Sequence, residues 1–456
     1  MKQTHSTQER LRQFVILLLP ILVTQLGIFS MSFFDTVMSG HASANDLAGV
    51  AIGVNLWMPL FTGINGVLLA ITPIVAHLLG GGRKENVAST VMQGVYLSIV
   101  IAVLVIIAGM FAVTPLLDAM KLEPVVHDIA RRYLIGLSFG ILPLLVYTVL
   151  RSFMDALGQA RITMLITLVS LPINVVLNYV LIYGKFGFPR MGGVGTGYAT
   201  AVTQWVIFLL ALYVVRRLPQ FATYEVGKRL YRVSVSAWVE QLKLGLPIGF
   251  AIFFEVSIFS AVTLLMSRFG TVAIAAHQVA INFASFLYMV PMSIASALTI
   301  VVGFEVGAKR YRDARSYSRL GLAFAVGMAF VCALGIWLFN RQVAALYTKD
   351  TAVFMLAQQF LMYAIFFQLS DALATPIQGV LRGYKDVTVP SVIAFAAYWV
   401  IGLPLGYGLA NYTDLQAFGY WVGLIVGLTC GASCFLLRLR FIQQREATRI
   451  ASNENV

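Results

Sequence analysis

Three acidic residues lie inside long apolar stretches of the sequence, where charged side chains are rare. Glu255 lies near the middle of one stretch, Asp371 lies within a second, and Asp35 lies toward the end of a third. A charge at the centre of a bilayer costs roughly 2.5–3.5 kcal/mol on insertion scales, so such a group usually faces a partner or an ion path. The alternative is a structural carboxyl group that is kept neutral or hydrogen-bonded. Since we expect no intramembrane Lys or Arg to pair with them, a functional role is favoured.

The chemistry available to these groups is the binding of small cations. Oxygen ligands without clustered His or Cys suit hard cations or protons. Burial favours the neutral form of a carboxyl group, which allows it to take up and release a proton. The ionised form attracts Na⁺ or a positively charged organic molecule. We therefore predict Glu255, Asp371 and Asp35 as ion-binding residues, and a site that cannot hold ion and cargo together would exchange them.

Aromatic and amide side chains accompany these positions and form a second group of candidates. Aromatic faces attract organic cations as well as apolar rings, and amides four residues apart share one face of a helix. The alternatives are ordinary lipid-facing or core rings and interhelical hydrogen bonds. The candidate ion or substrate contacts are Phe253, Phe254, Phe367, Asn174, Asn178, Gln278 and Asn282.

The elements that carry these residues are predicted to be transmembrane helices. The chain has 456 residues, of which 59% are hydrophobic and 11% charged, whereas soluble domains carry roughly 25% charged residues. This composition excludes a soluble globular protein, a disordered chain and a disulfide-stapled domain. A bilayer-crossing helix needs about 20 apolar residues, and continuous apolar runs indicate helices rather than strands. Twelve such runs lie near 13–37, 47–78, 88–114, 130–154, 162–184, 195–215, 244–267, 272–304, 317–339, 353–381, 388–410 and 417–437.

The distribution of basic residues predicts the orientation of the chain. Most of the 32 Lys and Arg residues fall in the tails and in every second loop, and such an excess marks the cytoplasmic side. Both termini are therefore predicted to be cytoplasmic. The net charge of +13 then reflects the basic cytoplasmic loops of a protein embedded in a lipid bilayer. We therefore expect no nucleic-acid partner. The first apolar run is too long for a cleavable signal peptide.

An internal repeat divides the chain into two halves. Leu19-Pro20-Ile21 matches Leu246-Pro247-Ile248, and Leu150-Arg151 with Asp155 matches Leu381-Arg382 with Asp386. Six spans in each half give two parallel six-helix bundles, a 6+6 repeat with a pseudo-two-fold axis along the membrane normal. Near the end of the second half, Gly423, Gly427 and Gly431 form a small-residue ladder that predicts close helix packing. The predicted domains are an N-terminal lobe (1–216), a basic cytoplasmic linker (217–243), a C-terminal lobe (244–438) and a cytoplasmic tail (439–456).

Motifs of enzymes and ATP-driven pumps are absent from the sequence. There is no G-x-x-x-x-G-K-[ST] phosphate loop, no H-E-x-x-H zinc motif and no nucleophile–base pair that stands out. We therefore expect no enzymatic activity and no cofactor beyond a coupling ion, Na⁺ or H⁺.

Two stretches of the sequence form recognisable motifs. They are Asp35-Thr36-Val37-Met38-Ser39-Gly40 with residues 47–53, and Ala275-Ala276-His277-Gln278-Val279-Ala280-Ile281-Asn282-Phe283. Both resemble signature motifs of the multidrug and toxic compound extrusion (MATE) family, NorM type. The resemblance implies efflux of diverse, often cationic compounds driven by Na⁺ or H⁺.

The same resemblance implies roles for individual residues. It associates Glu255 and Asp371 with cation binding in the C-terminal half, as ligands of Na⁺. It ties Asp35 to an ion switch in the N-terminal half, where Asn174 and Asn178 match polar positions. Some members carry a further acidic residue there, whereas this chain has only Asn, which puts a proton relay in the N-terminal half in doubt. The retention of both Glu255 and Asp371 favours Na⁺.

The sequence therefore predicts a cation-coupled multidrug efflux antiporter that works by alternating access. We expect a multi-pass, monomeric protein of the bacterial inner membrane that confers antibiotic resistance and exports cationic drugs or dyes. One alternative is a flippase for a lipid-linked precursor, of similar architecture, which should line its cavity with intramembrane Lys or Arg. A second is a channel, which transport rate and saturability would distinguish.

Overall fold

The fold is built from helices throughout the part of the chain that can be described. The computed structural model describes residues 3–453, with side chains through residue 448, and it contains no strand within these bounds. The apolar runs form helices because only hydrogen bonds within a segment satisfy its backbone in lipid. The helices are α1 (Thr7–Ala42), α2 (Ala44–Leu68), α3 (Ile71–Gly80), α4 (Glu85–Ala119), α5 (Pro124–Ser138), α6 (Ile141–Ala156), α7 (Ala160–Tyr183), α8 (Gly193–Arg217), α9 (Pro219–Ala222), α10 (Val235–Met266), α11 (Thr271–Gly307), α12 (Tyr311–Tyr347), α13 (Thr351–Gly383), α14 (Thr388–Phe395), α15 (Leu403–Tyr412) and α16 (Ala417–Asn453). A 3₁₀ turn (Ser267–Phe269) follows α10, and a π-helical segment (Ala396–Gly402) joins α14 to α15.

The number of membrane spans agrees with an all-helical, polytopic membrane protein. Eleven helical segments of the described chain are long and apolar enough to cross a bilayer, and α2 with α3 counts as one of them. The pair α5 and α6, bent by 49°, gives a twelfth if it is one span. The sequence predicted a single run over 130–154 here. The helix breaks at Gly140, where a Cβ atom would lie 2.7 Å from the Cα atom of Ala201.

Two compact units divide the chain. One unit contains the chain from Leu19 to Leu246, and the other contains the chain from Pro247 onward together with the residues up to Leu18. Helix α10 begins at Val235, inside the segment that the sequence assigned to the linker. The Ser234 hydroxyl accepts a hydrogen bond from the backbone N–H of Ala237 at 3.3 Å, which caps this earlier start. The orientation of the termini and the domain bounds stay predictions.

The unit from Leu19 to Leu246 is organised around α8, which contacts α5, α6 and α7. Two glycines allow this helix to approach its neighbours. A Cβ atom at Gly197 would collide with the carbonyl oxygen of Tyr133, and one at Gly195 would lie 2.8 Å from the carbonyl carbon of Leu181. The side chains of α7 and α8 are therefore held at short range.

The unit that begins at Pro247 is organised around α13, which contacts α11, α12 and α16. Helix α16 also packs against the π-helical segment and α15. A Cβ atom at Gly423 would collide with the Cα atom of Gly406, and one at Gly427 would lie 2.9 Å from the Cα atom of Gly402. The predicted close packing at these glycines is thereby confirmed.

We expect Gly423→Ala to destabilise the protein by roughly 1–3 kcal/mol, because the added methyl group has no room between the two backbones. The measurement is the thermal unfolding temperature of the purified protein in detergent. Gly408→Ala is the matched control, since a Cβ atom there would meet no atom within 4 Å. Equal unfolding temperatures for the two variants would contradict this account of the packing.

Candidate ion-binding sites

The first carboxylate site lies in the unit from Leu19 to Leu246 and is built on Asp35 of α1. The Asn178 amide of α7 donates a hydrogen bond to Oδ1 of Asp35 at 2.5 Å. The Thr200 hydroxyl of α8 donates to Oδ2 at 3.2 Å. Both carboxylate oxygens thus have donors, and hydrogen bonds to the charged form of a carboxylate stabilise it.

The two asparagines predicted from the sequence lie beside Asp35. Asn174 and Asn178 are almost fully buried, and the Asn178 amide donates to Oδ1 of Asn174 at 3.2 Å. The Asn174 amide points to the Thr203 hydroxyl at 3.4 Å. The carbonyl oxygen of Asn178 is buried without a hydrogen-bond partner in the described structure. A buried acceptor without a partner is costly, so this oxygen suits a bound cation or a proton donor.

The sequence analysis missed the hydroxyl groups that complete this site. Thr196, Thr200 and Thr203 recur at helical spacing along α8. Thr196 lies 2.8 Å from the hydroxyl of Ser39. A polar stripe with this period in an apolar run was the available signal, because residues four apart share one face.

The second site lies in the unit that begins at Pro247 and contains Glu255 of α10 and Asp371 of α13. Both side chains are buried, with 8% and 3% of their surface exposed. The Thr375 hydroxyl donates to Oδ1 of Asp371 at 2.8 Å. The Tyr288 hydroxyl of α11 lies near Glu255 and Thr375. A hydroxyl group therefore accompanies each carboxyl group, and neither hydroxyl was predicted.

The two carboxyl groups of the second site interact electrostatically. The charge of Glu255 acts on Asp371, and both carboxyl groups act on the Tyr398 hydroxyl of the π-helical segment. Two carboxylates that share a dry site do not both ionise readily. A cation or a proton between them would relieve the repulsion.

Helix α13 continues two residues beyond the predicted span, which ended at residue 381. It therefore includes Arg382 in its last turn, where the side chain is half-buried. The expectation that no intramembrane Lys or Arg accompanies the carboxyl groups stays a prediction.

The candidate aromatic side chains lie in ring clusters of the same unit. Phe367 meets Phe259 and Trp421 at centroid distances of 5.6 and 6.1 Å. Phe254 packs on Phe395 at 4.9 Å, and Phe253, which is 38% exposed, contacts Phe254. These contacts explain their positions by packing, and contact with a substrate stays a prediction.

The remaining two candidates, Gln278 and Asn282, lie one turn apart on α11. The Asn282 amide is exposed and donates to the backbone carbonyl of Gln278 at 2.9 Å. The described hydrogen bonds join neither residue to Glu255 or Asp371. Their buried neighbour is His277, whose Nδ1 accepts a hydrogen bond from the indole N–H of Trp421 at 3.1 Å.

The ligand chemistry of the two sites is that of oxygen donors. Within the described part of the chain, no three His, Cys, Asp or Glu side chains lie close enough to hold a metal ion. Each site instead combines carboxylate oxygens with hydroxyl or amide oxygens, which suit hard cations and protons.

Comparison with known proteins identifies the family. A model of the MatE family matches residues 20–180 and 247–408. The protein named "Probable multidrug resistance protein NorM" from Halalkalibacterium halodurans is 57% identical over 457 residues and is matched over 100% of both chains. A protein of the same name from Bacillus anthracis is 56% identical over 449 residues, which are 98% of this chain and 99% of the relative. The chain belongs to the MatE family.

Solved structures agree with this family in their fold. An outward-facing multidrug resistance MATE transporter of the MOP superfamily superposes with a TM-score of 0.89 at 19% identity, covering 98% of this chain and 100% of that one. A eukaryotic MATE transporter gives a TM-score of 0.88 at 18% identity, with 97% and 99% covered. The resemblance in the sequence motifs is thereby confirmed, and the MatE chain has the fold of MATE transporters.

We expect Thr375→Val to destabilise this MatE protein by about 1–2 kcal/mol, because Asp371 loses its buried hydroxyl donor while the side-chain shape is kept. Thr375→Ser is the matched control and should retain the hydrogen bond. The measurement is the thermal unfolding temperature of both variants at constant pH and salt. A valine variant as stable as the wild type would show that this hydrogen bond is not needed.

Proposed function

We propose that the protein is a multidrug efflux antiporter that exchanges hydrophobic, often cationic compounds for Na⁺ or H⁺. The observation that carries this proposal is the buried Glu255–Asp371 pair with its Tyr288 and Thr375 hydroxyl groups. Full-length relatives that carry the name of a multidrug resistance protein support the class of cargo.

Exchange follows from the electrostatics of the pair. Two carboxyl groups in an apolar interior repel each other when both are ionised. A coupling cation relieves the repulsion, and a cationic cargo offers the same relief, so occupation by one disfavours the other. Inward movement of one positive charge supplies about 2.3 kcal/mol per 100 mV of membrane potential, which is available for export.

Na⁺ is the favoured coupling ion. The second site offers several oxygen atoms, which suits a dehydrated cation better than a single carboxyl group would. The first site has one carboxylate, Asp35, whose neighbours Asn174 and Asn178 are neutral amides that cannot relay protons as carboxyl groups do. H⁺ coupling through Asp35 alone stays the competing proposal.

The arrangement in the membrane is part of the proposal. The MatE model matches the chain twice, with starts at residues 20 and 247, which supports two parallel halves of six spans each. The basic residues of alternate loops support cytoplasmic termini. We propose a monomer in the inner membrane of a bacterium that works by alternating access.

A lipid-linked precursor flippase of similar architecture is the second candidate, and it should line its cavity with intramembrane Lys or Arg. The unit that begins at Pro247 instead buries the acidic pair Glu255 and Asp371. Their negative charge favours cationic cargo over an anionic precursor. Translocation of a labelled anionic lipid by proteoliposomes that export no cationic dye would favour the flippase.

We expect Glu255→Gln, Asp371→Asn and Asp35→Asn each to reduce dye efflux at least tenfold, because each removes a negative charge that the coupling cation needs. The assay is efflux of a fluorescent cationic dye from proteoliposomes. Asp128→Asn is the matched control, since this exposed carboxylate of α5 makes only a long ion pair of 3.7 Å with Arg132. Full transport by all three variants would contradict the site assignment.

We also expect an inward Na⁺ gradient at constant pH to drive efflux in the same vesicles, and an inward H⁺ gradient without Na⁺ to drive it less. The physical reason is the larger number of oxygen ligands at the second site. The measurement is the initial rate under each gradient, with a protonophore added to the Na⁺ experiment. Efflux that needs H⁺ and ignores Na⁺ would replace Na⁺ by H⁺ in this proposal.

A further inference from the structure

The segment between α9 and α10 is held against the first three turns of α4. The buried Gln93 side chain of α4 binds it twice, since its amide donates to the carbonyl of Arg232 at 2.7 Å and its oxygen accepts from the N–H of Ser234 at 3.0 Å. One turn into α10, the Gln241 amide donates to the carbonyl of Thr90 at 3.0 Å. The segment is therefore a fixed part of the unit from Leu19 to Leu246.

A cavity of about 500 Å³ lies where this segment meets the start of α4. It is lined by Lys84, Glu85, Ala88, Thr223, Tyr224, Glu225, Arg229 and Tyr231. The volume lies in the range of small-molecule sites, but all lining residues except Ala88 are polar or charged. The ring of Tyr224 is positioned from behind by an edge contact with Phe153 at 5.8 Å. The cavity therefore suits a small polar ligand.

The lining carries charges of both signs in equal number, namely Lys84 and Arg229 against Glu85 and Glu225. Glu225 has a partner outside the cavity, because its Oε1 lies 4.0 Å from Nζ of Lys228. Within the described part of the chain, no ion pair of 4 Å or less involves Lys84, Glu85 or Arg229. Two cations and one carboxylate can therefore bind a ligand that itself carries both charges.

Exposed apolar side chains follow the cavity along the chain. Leu230, Val233 and Val235 are 90%, 57% and 70% exposed. They lie between the end of the membrane helix α8 at Arg217 and the first turn of the membrane helix α10, so the cavity is at the membrane surface that we predict to be cytoplasmic. At this level apolar side chains can contact acyl chains and basic side chains can contact lipid phosphates.

We propose that this cavity binds the headgroup of a membrane phospholipid that carries both a phosphate and a primary ammonium group, as phosphatidylethanolamine does. Lys84 and Arg229 bind the phosphate, and Glu85 accepts hydrogen bonds from the ammonium group. Leu230 contacts the acyl chains. Phosphatidylglycerol has no cation for Glu85, and the quaternary ammonium of phosphatidylcholine has no N–H to donate. This site is separate from the two ion sites and does not depend on the proposed antiport.

The first test is lipid binding by the purified full-length protein in detergent. The probes are phosphatidylethanolamine, phosphatidylglycerol and phosphatidylcholine with the same fluorescent acyl chain, since binding to the apolar belt is then common to all three. We expect phosphatidylethanolamine to bind roughly tenfold more tightly than the others, which corresponds to one hydrogen bond between charged groups. Equal affinity for the three lipids would overturn the proposal.

Substitutions assign the two charges of the headgroup separately. Arg229→Gln should weaken all three lipids, because they share the phosphate, and Arg229→Lys should restore most of the affinity. Glu85→Gln should weaken phosphatidylethanolamine alone and abolish its advantage over phosphatidylcholine. Lys185→Gln is the matched control, because this exposed lysine lies in the loop between α7 and α8, at the opposite end of α8. Wild-type affinities in both Arg229→Gln and Glu85→Gln would refute the site.

A further comparison separates a lipid from a soluble phosphate compound. Leu230→Ser should weaken the labelled phosphatidylethanolamine severalfold, and soluble glycerophosphoethanolamine should displace the lipid only at much higher concentration than the unlabelled lipid does. If Leu230→Ser has no effect and the soluble compound competes as well as the lipid, the ligand is a soluble phosphate compound and the lipid assignment is wrong. The readout is lipid binding, so either result leaves the dye-efflux test of the antiporter unaffected.

Discussion

A carboxyl group inside an apolar helical bundle must obtain its polar partners from side chains of its own or neighbouring helices, because neither lipid nor apolar side chains can solvate it. Asp35 obtains them from Asn178 and Thr200, which lie on two different helices. Asp371 obtains one from Thr375, one turn later on its own helix. The positions of these donors constrain which helices lie side by side, and so the polar sites and the fold depend on each other.

Close helix packing in the unit that begins at Pro247 helps to position the polar partners of its carboxyl groups. Helix α16 approaches the π-helical segment at Gly423 and Gly427, where larger side chains would not fit. The π-helical segment in turn holds Tyr398 near both carboxyl groups, while the indole of Trp399 donates to the backbone carbonyl of Phe254 at 3.1 Å. A π-helical segment shifts the side-chain register relative to a regular helix and is frequent at functional sites. Close packing on one side of this segment thus positions polar groups on the other.

The sequence made the acidic positions and the helical class predictable, since a carboxylate in an apolar run is rare and has few explanations. The Asn174–Asn178 pair could be predicted as a candidate for the same reason. Tyr288 and Thr375 could not be predicted as site residues. Tyr and Thr are common in apolar helices, and nothing in one sequence separates a hydroxyl group at a polar site from an ordinary one. The end of α13 was misjudged by two residues, because the predicted run ended at the last apolar residue, Leu381, whereas the helix continues to Gly383.

The two sites differ in composition and in charge. The first has one carboxylate, Asp35, whose two oxygens accept hydrogen bonds from Asn178 and Thr200, so its ionised form carries a single negative charge. The second has two buried carboxyl groups, Glu255 and Asp371. One monovalent cation or one proton would neutralise the first site, whereas the second would keep a negative charge beside one such ion if both of its carboxyl groups were ionised. Because that state is costly in an apolar interior, the second site binds a cation, a proton or both more readily than a single carboxyl group would.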